Sequence, residues 1–260
     1  MHIFVINLEK DIARRESIVG QLETLGLPYE IVPAVYGAAL SAEERARHYD
    51  ERKAKWRLSR ILTPAEIGIA LSHLKIYRLM IERGIEYAMI LEDDVMLPSD
   101  LGKLLDECGV NLEPTKPSVW LLSPATGRKN APCHVSIGSS HRLFPYQNGY
   151  YASSYILTLT AARALLAELY PVSDVADCWL RMHRYRVVDI FIVTPPLIVQ
   201  DQDGFGSSTT SSYYESIRSD LVPKAIYKLR RLRAIIFDLF YARYRRWFRP
   251  YSGINLKHTE

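Results

Sequence analysis

The sequence predicts an α/β protein with a mainly parallel sheet, because strand and helix patterns alternate at its start and carboxylates follow a later apolar strand. Residues 2–6 form a short apolar run, and residues 10–25 repeat apolar side chains at helical spacing before Gly26. A second apolar run, residues 29–32, follows almost at once. Such a β-α-β opening favours parallel strands that bind ligands at their carboxyl ends.

The composition is that of a globular protein. Of 260 residues, 48% are hydrophobic and 24% charged, and no apolar run approaches the roughly 18 residues that span a bilayer. Asn7 and the charged residues after it interrupt the first apolar run too early for a secretory signal. The three cysteines show no metal-type CxxC spacing, which suits a reducing compartment. We therefore expect a cytoplasmic protein.

Positive charge is concentrated near the C-terminus. Residues 224–249 contain nine lysines and arginines and one acid, whereas the whole chain has a net charge of only +4. The remainder is therefore net negative. We expect one globular domain over residues 1–220 and a basic, amphipathic helical segment over residues 221–260. This asymmetry points to an anionic surface met by the C-terminus, either a membrane or a nucleic acid.

A long helix is predicted before the acidic residues of interest. Thr63 is followed by Pro64 and by Glu66, which together form a capping box, and Gly84 is expected to end the helix after Arg83. The preceding residues, 41–60, are highly charged and favour a solvated helix or a mobile excursion without chemistry.

Further strands and one short helix complete the predicted order. The strands are expected at residues 119–123, 151–159 and 187–193, and Thr160 is expected to cap a helix through Leu169.

Three adjacent acids, Glu92, Asp93 and Asp94, end the apolar strand that is predicted over residues 87–91. Pro98 excludes a continuing regular strand. Like charges held together at a strand end repel each other, and a cation relieves that repulsion. Oxygen ligands suit Mn²⁺ or Mg²⁺, which bridges to nucleotide phosphates. An exposed acidic turn is the alternative.

Four stretches in this order resemble glycosyltransferase family 25, the lipopolysaccharide and lipooligosaccharide β-galactosyltransferases and their collagen-modifying relatives. They are Val5-Ile-Asn-Leu-Glu-Lys-Asp-Ile-Ala-Arg-Arg15, Leu62-Thr-Pro-Ala-Glu-Ile-Gly-Ile-Ala-Leu-Ser-His73, Ala88-Met-Ile-Leu-Glu-Asp-Asp-Val95 and Gly149-Tyr-Tyr-Ala-Ser-Ser-Tyr-Ile-Leu-Thr158. The resemblance covers roughly residues 1–210. One departure is Ile69, where family members often have cysteine.

The resemblance implies a GT-A-like, Rossmann-type fold with flanking helices and an inverting, metal-dependent transfer from a UDP-sugar. Galactose is the first choice of sugar, with glucose and N-acetylglucosamine left open, and the acceptor is a lipooligosaccharide or another glycan. The resemblance also implies that Glu92 and Asp93 contact the donor ribose or a metal-bound water. It makes Asp94 the main ligand of Mn²⁺ or Mg²⁺.

Other donor-site candidates lie on the first strand and on two helices. Asn7 and either Arg14 or Arg15 are placed to hold a nucleotide base, ribose or phosphate, although a solvated helix face would also explain the arginines. Glu66 is either the capping partner of Thr63 or a donor contact. His73 shares its helix face and is either packed in the core or part of the donor site.

The acceptor side has one favoured carboxylate. The resemblance places Asp177 at a helix start as the base that takes the acceptor proton, and Asp174 is its rival unless it is an N-cap. Gln200 or Asp201 is expected to complete the metal shell, at the start of a Gly/Ser loop whose alternative reading is a flexible surface loop.

A different class of function is also open, a non-catalytic module that binds membranes or nucleic acids through its C-terminal segment. Residues 221–248 intersperse apolar and aromatic residues with arginines and lysines, which favours interfacial helices on an anionic membrane. Nucleic acid is the weaker expectation, and packing on the catalytic domain or a partner subunit is a third. We expect a peripheral protein on the cytoplasmic face of the inner membrane.

Overall fold

The fold is given by a computed structural model that describes residues 1–127, 133, 135–149 and 151–201, and single helical residues between 229 and 244. Its strands are β1 His2–Asn7, β2 Glu30–Pro33, β3 Tyr87–Glu92, β4 Val95–Met96, β5 Ser118–Leu121, β6 Thr126–Gly127, β7 Val135–Ile137, β8 His141–Asn148, β9 Ser154–Thr158, β10 Asp189–Thr194 and β11 Val199–Gln200. Its helices are α1 Ile12–Thr24, α2 Ala42–His48, α3 Glu51–Leu58, α4 Pro64–Arg83, α5 Leu101–Asn111, α6 Leu159–Leu169 and α7 Trp179–Arg184.

Nine of the described strands form one large sheet in the order β2-β1-β3-β9-β5-β10-β8-β6, with β7 also paired to β8, and β4 and β11 form a separate two-stranded sheet. Strands β2, β1, β3, β5 and β10 run in one direction, while β9 lies antiparallel between β3 and β5. The expected α/β class with a mainly parallel central sheet is confirmed. The sequence did not predict the direction of β9. All five of its residues are buried, and such a continuous buried run is also what a parallel strand shows.

Two hydrophobic cores cover the two faces of this sheet. Helices α4, α6 and α7 contribute to one core, and α1 and α5 contribute to the other. Strand β3 alternates between them, since Ala88 and Ile90 face the α4 side and Met89 and Leu91 face the α1 side. The alternation fixes which face each acid after Leu91 can reach.

The predicted capping box of α4 is confirmed. The Glu66 backbone N–H donates to Thr63 Oγ1 at 3.2 Å, and the Thr63 N–H donates to Glu66 Oε2 at 2.8 Å. Gly84 ends the helix in the left-handed region with φ of 65°. Inside α4, a Cβ on Gly68 would lie 2.4 Å from the Val35 carbonyl oxygen, so only glycine allows this close approach.

Residues 41–60 are more ordered than the sequence indicated, because they form α2 and α3 and pack on the domain. Ala54 and Arg57 are buried. Arg57 Nη2 lies 2.5 Å from Glu168 Oε1, and Arg57 Nη1 donates to Ser173 Oγ at 3.1 Å. Paired charges can be buried where unpaired ones cannot, so the charged composition was a poor guide here.

Two further expectations need correction or stay open. The side chain that caps α6 belongs to Thr158, whose Oγ1 accepts from the Ala161 N–H at 3.2 Å, whereas Thr160 donates to the Pro114 carbonyl. The expected domain boundary at residue 220 lies outside the described residues. Within the described part of the chain, no helix is long and apolar enough to cross a membrane.

Candidate active site

The candidate site forms where β1 and β3 end side by side. Asn7, the last residue of β1, is 2% exposed. Its Nδ2 donates to Asp93 Oδ2 at 2.7 Å and to the Asp11 carbonyl at 3.1 Å. The adjacent parallel strands thus bring together two residues that the sequence separates widely, as expected for carboxyl ends of a parallel sheet.

Arg14, on the first turn of α1, is the arginine that reaches the acids. Its Nη1 lies 3.5 Å from Asp93 Oδ1 and 3.4 Å from Asp94 Oδ2. Arg15, the neighbouring candidate, is exposed. Successive helical residues point about 100° apart, which explains why α1 directs one of the two arginines to the site.

A two-stranded pairing of β4 with β11 joins the end of the described chain to the acids. Gln200 pairs with Val95, and the Asp201 N–H donates to the Asp94 carbonyl at 2.8 Å. Gln200 Nε2 lies 3.5 Å from Asp94 Oδ1. The structure therefore brings Gln200 and Asp201 next to Asp94. Their role as metal ligands stays a prediction, and the Gly/Ser loop after them lies outside the described residues.

Burial makes the two aspartates costly to ionise. It raises the pKa of Asp94 to about 6, and repulsion from Glu92 and Asp93 adds to this, while Arg14 opposes it. Burial likewise raises the pKa of Asp93, against the hydrogen bond from Asn7 and the charge of Arg14. A bound cation or the positive end of a ligand would stabilise both carboxylates.

The donor set fits a hard divalent cation that shares its ligands with a substrate. Asp93 and Asp94 offer carboxylate oxygens and Gln200 an amide oxygen, the ligand chemistry of Mg²⁺ and Mn²⁺. Among the residues described, no three His, Cys, Asp or Glu side chains are grouped to hold a metal by themselves. One or two carboxylates completed by substrate phosphates is the usual arrangement for Mg²⁺.

Glu66 is engaged in a structural role. Arg60 holds its two carboxylate oxygens with contacts of 2.8 and 2.6 Å, in addition to the capping bond from Thr63. Burial works against its ionisation, but these hydrogen bonds outweigh burial and keep the pKa of Glu66 below its ordinary value. The capping interpretation of the sequence is thereby confirmed, and the donor contact remains a prediction.

His73 and Glu92 meet on the α4 side of the sheet. His73 is 3% exposed, its Nδ1 lies 2.8 Å from the Tyr155 hydroxyl, and its Nε2 lies 3.5 Å from Glu92 Oε1. Asp93 and Asp94 instead face Asn7 and Arg14. The acidic triplet is therefore divided between the two sides of β3.

Asp177 and Asp174 differ in what surrounds them. Asp177 precedes α7, and burial raises its pKa to about 7, with further repulsion from Glu92 and Glu66. Asp174 is buried, forms an ion pair with Arg181 and accepts the Val175 N–H at 3.0 Å. Of the two candidates, Asp177 has the environment of a base that works near neutral pH.

A cleft of about 480 Å³ opens beside Asp94, within the size range of small-molecule sites. It is lined by Met96, Pro124, Tyr151, Ser153, Val199, Gln200 and Asp201. Reasoning from the sequence did not select Tyr151 or Ser153. The available signal was their position in the fourth stretch that resembles the family, residues 149–158, for which the sequence indicated no site role.

Comparison with known proteins identifies relatives of this chain. The profile described as glycosyltransferase family 25 (LPS biosynthesis protein) matches residues 1–180. A glycosyltransferase 25 family member of Anopheles gambiae is 26% identical over 81% of this chain and 39% of its own length. Human procollagen galactosyltransferase 2 is 28% identical over 70% of this chain and 30% of its own. Human inactive glycosyltransferase 25 family member 3 is 27% identical over 64% of this chain and 28% of its own length.

The fold is that of an α/β protein with a partly buried acidic cluster at the carboxyl ends of β1 and β3. The match over residues 1–180 shows that the chain belongs to glycosyltransferase family 25. It spans less than two fifths of the length of each of these animal relatives.

Proposed function

We propose that this protein is an inverting, metal-dependent glycosyltransferase that uses a UDP-sugar. The observation that carries the proposal is the meeting of Asn7, Arg14, Asp93 and Asp94 at the ends of β1 and β3. Carboxylates, an amide and a guanidinium in one partly buried cluster suit a ligand that combines hydroxyls, phosphates and a divalent cation.

The donor diphosphate binds on the α1 side of the sheet. Asp93 is held by Asn7 and would contact the ribose or a metal-bound water, whereas Asp94 and Gln200 would hold Mn²⁺ or Mg²⁺. When bound, the cation acts as a Lewis acid that stabilises the charge of the departing diphosphate. Arg14 contributes a positive charge beside the phosphates.

Asp177 takes the proton of the acceptor hydroxyl. A base is most effective when its pKa lies close to the working pH, and burial raises the pKa of Asp177 to about 7. The hydroxyl oxygen attacks the anomeric carbon on the face opposite the diphosphate, so the anomeric configuration inverts. Asp174 is unsuited because Arg181 already binds it.

Galactose from UDP-galactose is the proposed sugar, and a lipooligosaccharide or related glycan is the proposed acceptor. Two names among the relatives support this choice, since the family is described as LPS biosynthesis and one human member as a procollagen galactosyltransferase. Glucose and N-acetylglucosamine are the competing sugars for the same site.

The C-terminal helical segment, residues 229–244 where described, docks the enzyme on an anionic membrane. It exposes the apolar side chains of Leu229, Leu232, Ile235, Ile236, Leu239 and Phe240. Tyr241 is partly buried, and its ring centroid lies 4.7 Å from that of Tyr185, whereas the other described residues of this segment are exposed. An exposed apolar stripe within a basic segment is typical of an interfacial helix.

Ligand-induced thermal stabilisation tests the proposed function directly. UDP, GDP and CMP are each added with and without Mn²⁺, and we expect UDP with Mn²⁺ to raise the melting temperature most. If none of the nucleotides stabilises the protein while polyanions do, the non-catalytic binding module is the better description. Hydrolysis of UDP-galactose, UDP-glucose and UDP-N-acetylglucosamine then ranks the sugars.

A further inference from the structure

Glu92 is the one acid of the triplet that faces α4. Strand β3 alternates, so Ala88 and Ile90 precede Glu92 on the α4 side, and Met89 and Leu91 precede Asp93 on the α1 side. The contacts agree with this alternation, because Glu92 lies 3.5 Å from His73 on α4 whereas Asp93 binds Asn7 and Arg14. Glu92 therefore points away from the proposed diphosphate site.

A chain of three buried side chains directs a proton of His73 toward Glu92. The Tyr77 and Tyr155 hydroxyls are 2.9 Å apart, and the Tyr155 hydroxyl lies 2.8 Å from His73 Nδ1. Burial raises the pKa of both phenols, so both keep their protons. If each hydroxyl donates toward His73, both hydroxyl protons have acceptors, and Nε2 carries the imidazole proton on the side that faces Glu92. In the opposite direction the Tyr77 proton would have no acceptor, and Nε2 would present a lone pair to a carboxylate.

His73 Nε2 is buried and has no hydrogen-bond partner among the described residues. At 3.5 Å, Glu92 Oε1 is too far for a good hydrogen bond but is the charge that this N–H faces. An unpaired buried donor costs about 1–3 kcal/mol, which a small movement of Glu92 toward Nε2 would remove. An N–H at His73 Nε2 therefore favours a Glu92 carboxylate on the α4 side.

The same tyrosine also supports the segment that carries Asp177. The Tyr155 and Trp179 rings meet edge-on, with their centroids 5.1 Å apart, and the backbone N–H of Trp179 donates to the Asp177 carbonyl at 2.7 Å. The Tyr155 hydroxyl therefore acts on Glu92 through His73. The Tyr155 ring acts on Asp177 through Trp179. The two carboxylates belong to one side of the site.

We propose that Glu92 is an acceptor-side residue that, with Asp177, binds the hydroxyls of the incoming sugar, and that His73 positions it through Tyr155. This assignment rests on the proposed function, and it moves Glu92 from the donor ribose, where the family resemblance would place it, to the acceptor. Two carboxylates can each accept a hydrogen bond from neighbouring hydroxyls of a pyranose ring. In the absence of a sugar acceptor, they orient the water that hydrolyses the donor.

The test compares Glu92→Gln with Asp93→Asn in the full chain, since each removes one charge and keeps the side-chain shape. UDP affinity with Mn²⁺ is measured by calorimetry, and UDP-galactose hydrolysis gives kcat and the donor KM. We expect Glu92→Gln to change UDP affinity and donor KM less than twofold while lowering kcat at least tenfold. Asp93→Asn should weaken UDP binding at least tenfold.

Two more variants test the positioning role. His73→Gln and Tyr155→Phe should lower kcat several-fold with unchanged donor KM. Tyr49→Phe is the matched control, because the Tyr49 hydroxyl is also buried but accepts the Leu62 N–H at 2.9 Å away from this cluster. It should lower the melting temperature and leave kcat unchanged.

The outcomes separate the two proposals. A wild-type chain that does not bind UDP contradicts the proposed function. If the wild-type chain binds UDP but Glu92→Gln loses UDP binding as Asp93→Asn does, the acceptor-side assignment is overturned and the proposed function stands. Unchanged kcat in both Glu92→Gln and His73→Gln would overturn it as well.

Discussion

Asn7 and Asp93, 86 positions apart, are joined by a hydrogen bond of 2.7 Å that ties the end of β1 to the end of β3. Asp94, the next residue, has longer contacts of 3.4 Å to Arg14 and 3.5 Å to Gln200. Asp93 is therefore held firmly, whereas Asp94 can exchange its contacts for a cation at a smaller cost. This difference suits Asp93 to a fixed contact with the donor and Asp94 to binding the cation.

The first prediction concerns Asp94→Asn. Because the amide lacks the charge that holds a cation, we expect Mn²⁺-dependent UDP binding to be lost while the melting temperature stays near the wild-type value. Titration of Mn²⁺ in the presence of UDP measures the effect. Asp100→Asn is the control, since Asp100 is exposed and its side chain makes no capping bond to α5. Equal Mn²⁺ affinity in both variants would remove Asp94 from the metal site.

The second prediction separates Asp177 from Asp174. Asp177→Asn should bind UDP normally and lose turnover by at least about 100-fold, as expected for removal of a general base. Asp174→Asn should instead lower the melting temperature, because it leaves Arg181 without its buried partner. Activity assays and thermal denaturation of both variants show which aspartate is the base and which supports the fold. Wild-type turnover in Asp177→Asn would assign the base to another residue.

The third prediction is the pH dependence that follows from the raised pKa of Asp177. A base must be deprotonated, so the rate of donor turnover should rise with pH through about 7 and then level off. Glu92 and Glu66 repel the negative charge on Asp177, so removal of either should lower the midpoint of the pH profile. Arg60 attracts that charge, so its removal should raise the midpoint. A flat profile between pH 5 and 9 would contradict the assignment.

Stability should change with pH in the opposite sense. The folded pKa of Asp177 lies above its ordinary value of 3.8, so the folded state binds more protons than the unfolded state between those two values. The ionised side chain therefore destabilises the fold as pH rises toward 7. Asp177→Asn should melt at a higher temperature than the wild type at pH 8, and the difference should vanish toward pH 4.

The fourth prediction concerns the close approach at Gly68. A methyl group there would lie 2.4 Å from the Val35 carbonyl oxygen and 2.7 Å from the Gly37 nitrogen, both of which are backbone atoms. Gly68→Ala should cost about 1–3 kcal/mol of unfolding free energy. Gly20→Ala is the matched control in α1, where nothing lies within 4 Å of the added carbon, and it should stabilise by about 0.5–1 kcal/mol. Urea denaturation of both variants checks the contrast.

The fifth prediction concerns the C-terminal helical segment. Ile236→Asp combined with Phe240→Asp should abolish co-sedimentation with anionic vesicles, because both side chains are exposed on the apolar face. Val110→Asp, which changes an 87% exposed valine on α5, should bind vesicles as the wild type does. Wild-type binding should weaken with salt and exceed binding to neutral vesicles. Binding that persists in a chain ending at Asp220 would contradict docking through this segment.

Local patterns predicted several elements well. The capping box from Thr63 to Glu66 and the terminating Gly84 gave both ends of α4, because helix termination depends on nearby backbone groups that side chains a few residues away can satisfy. The strand before the acidic triplet was equally clear. By contrast, β8 was missed, since its burial alternates irregularly and Pro145 interrupts it.

Charge composition was misleading where a charge has a distant partner. The charged composition of residues 51–58 predicted a solvated helix. Arg57 is nevertheless buried, because Glu168, more than a hundred residues later, pairs with it. Nothing near Arg57 in the sequence identifies that partner. A pairing between distant positions is decided by how helices pack, which local periodicity does not specify.

The sequence by itself determined the α/β class, the order of the first elements and the set of acids that end β3, since these depend on periodicity, capping and local composition. Only the tertiary structure decided that the triplet is divided, with Asp93 and Asp94 facing α1 and Glu92 facing α4. It also decided that Arg14 rather than Arg15 reaches the acids, and that Asp174 is occupied by Arg181. These outcomes depend on which elements lie on each face of the sheet, and that is fixed by packing between residues far apart in the chain.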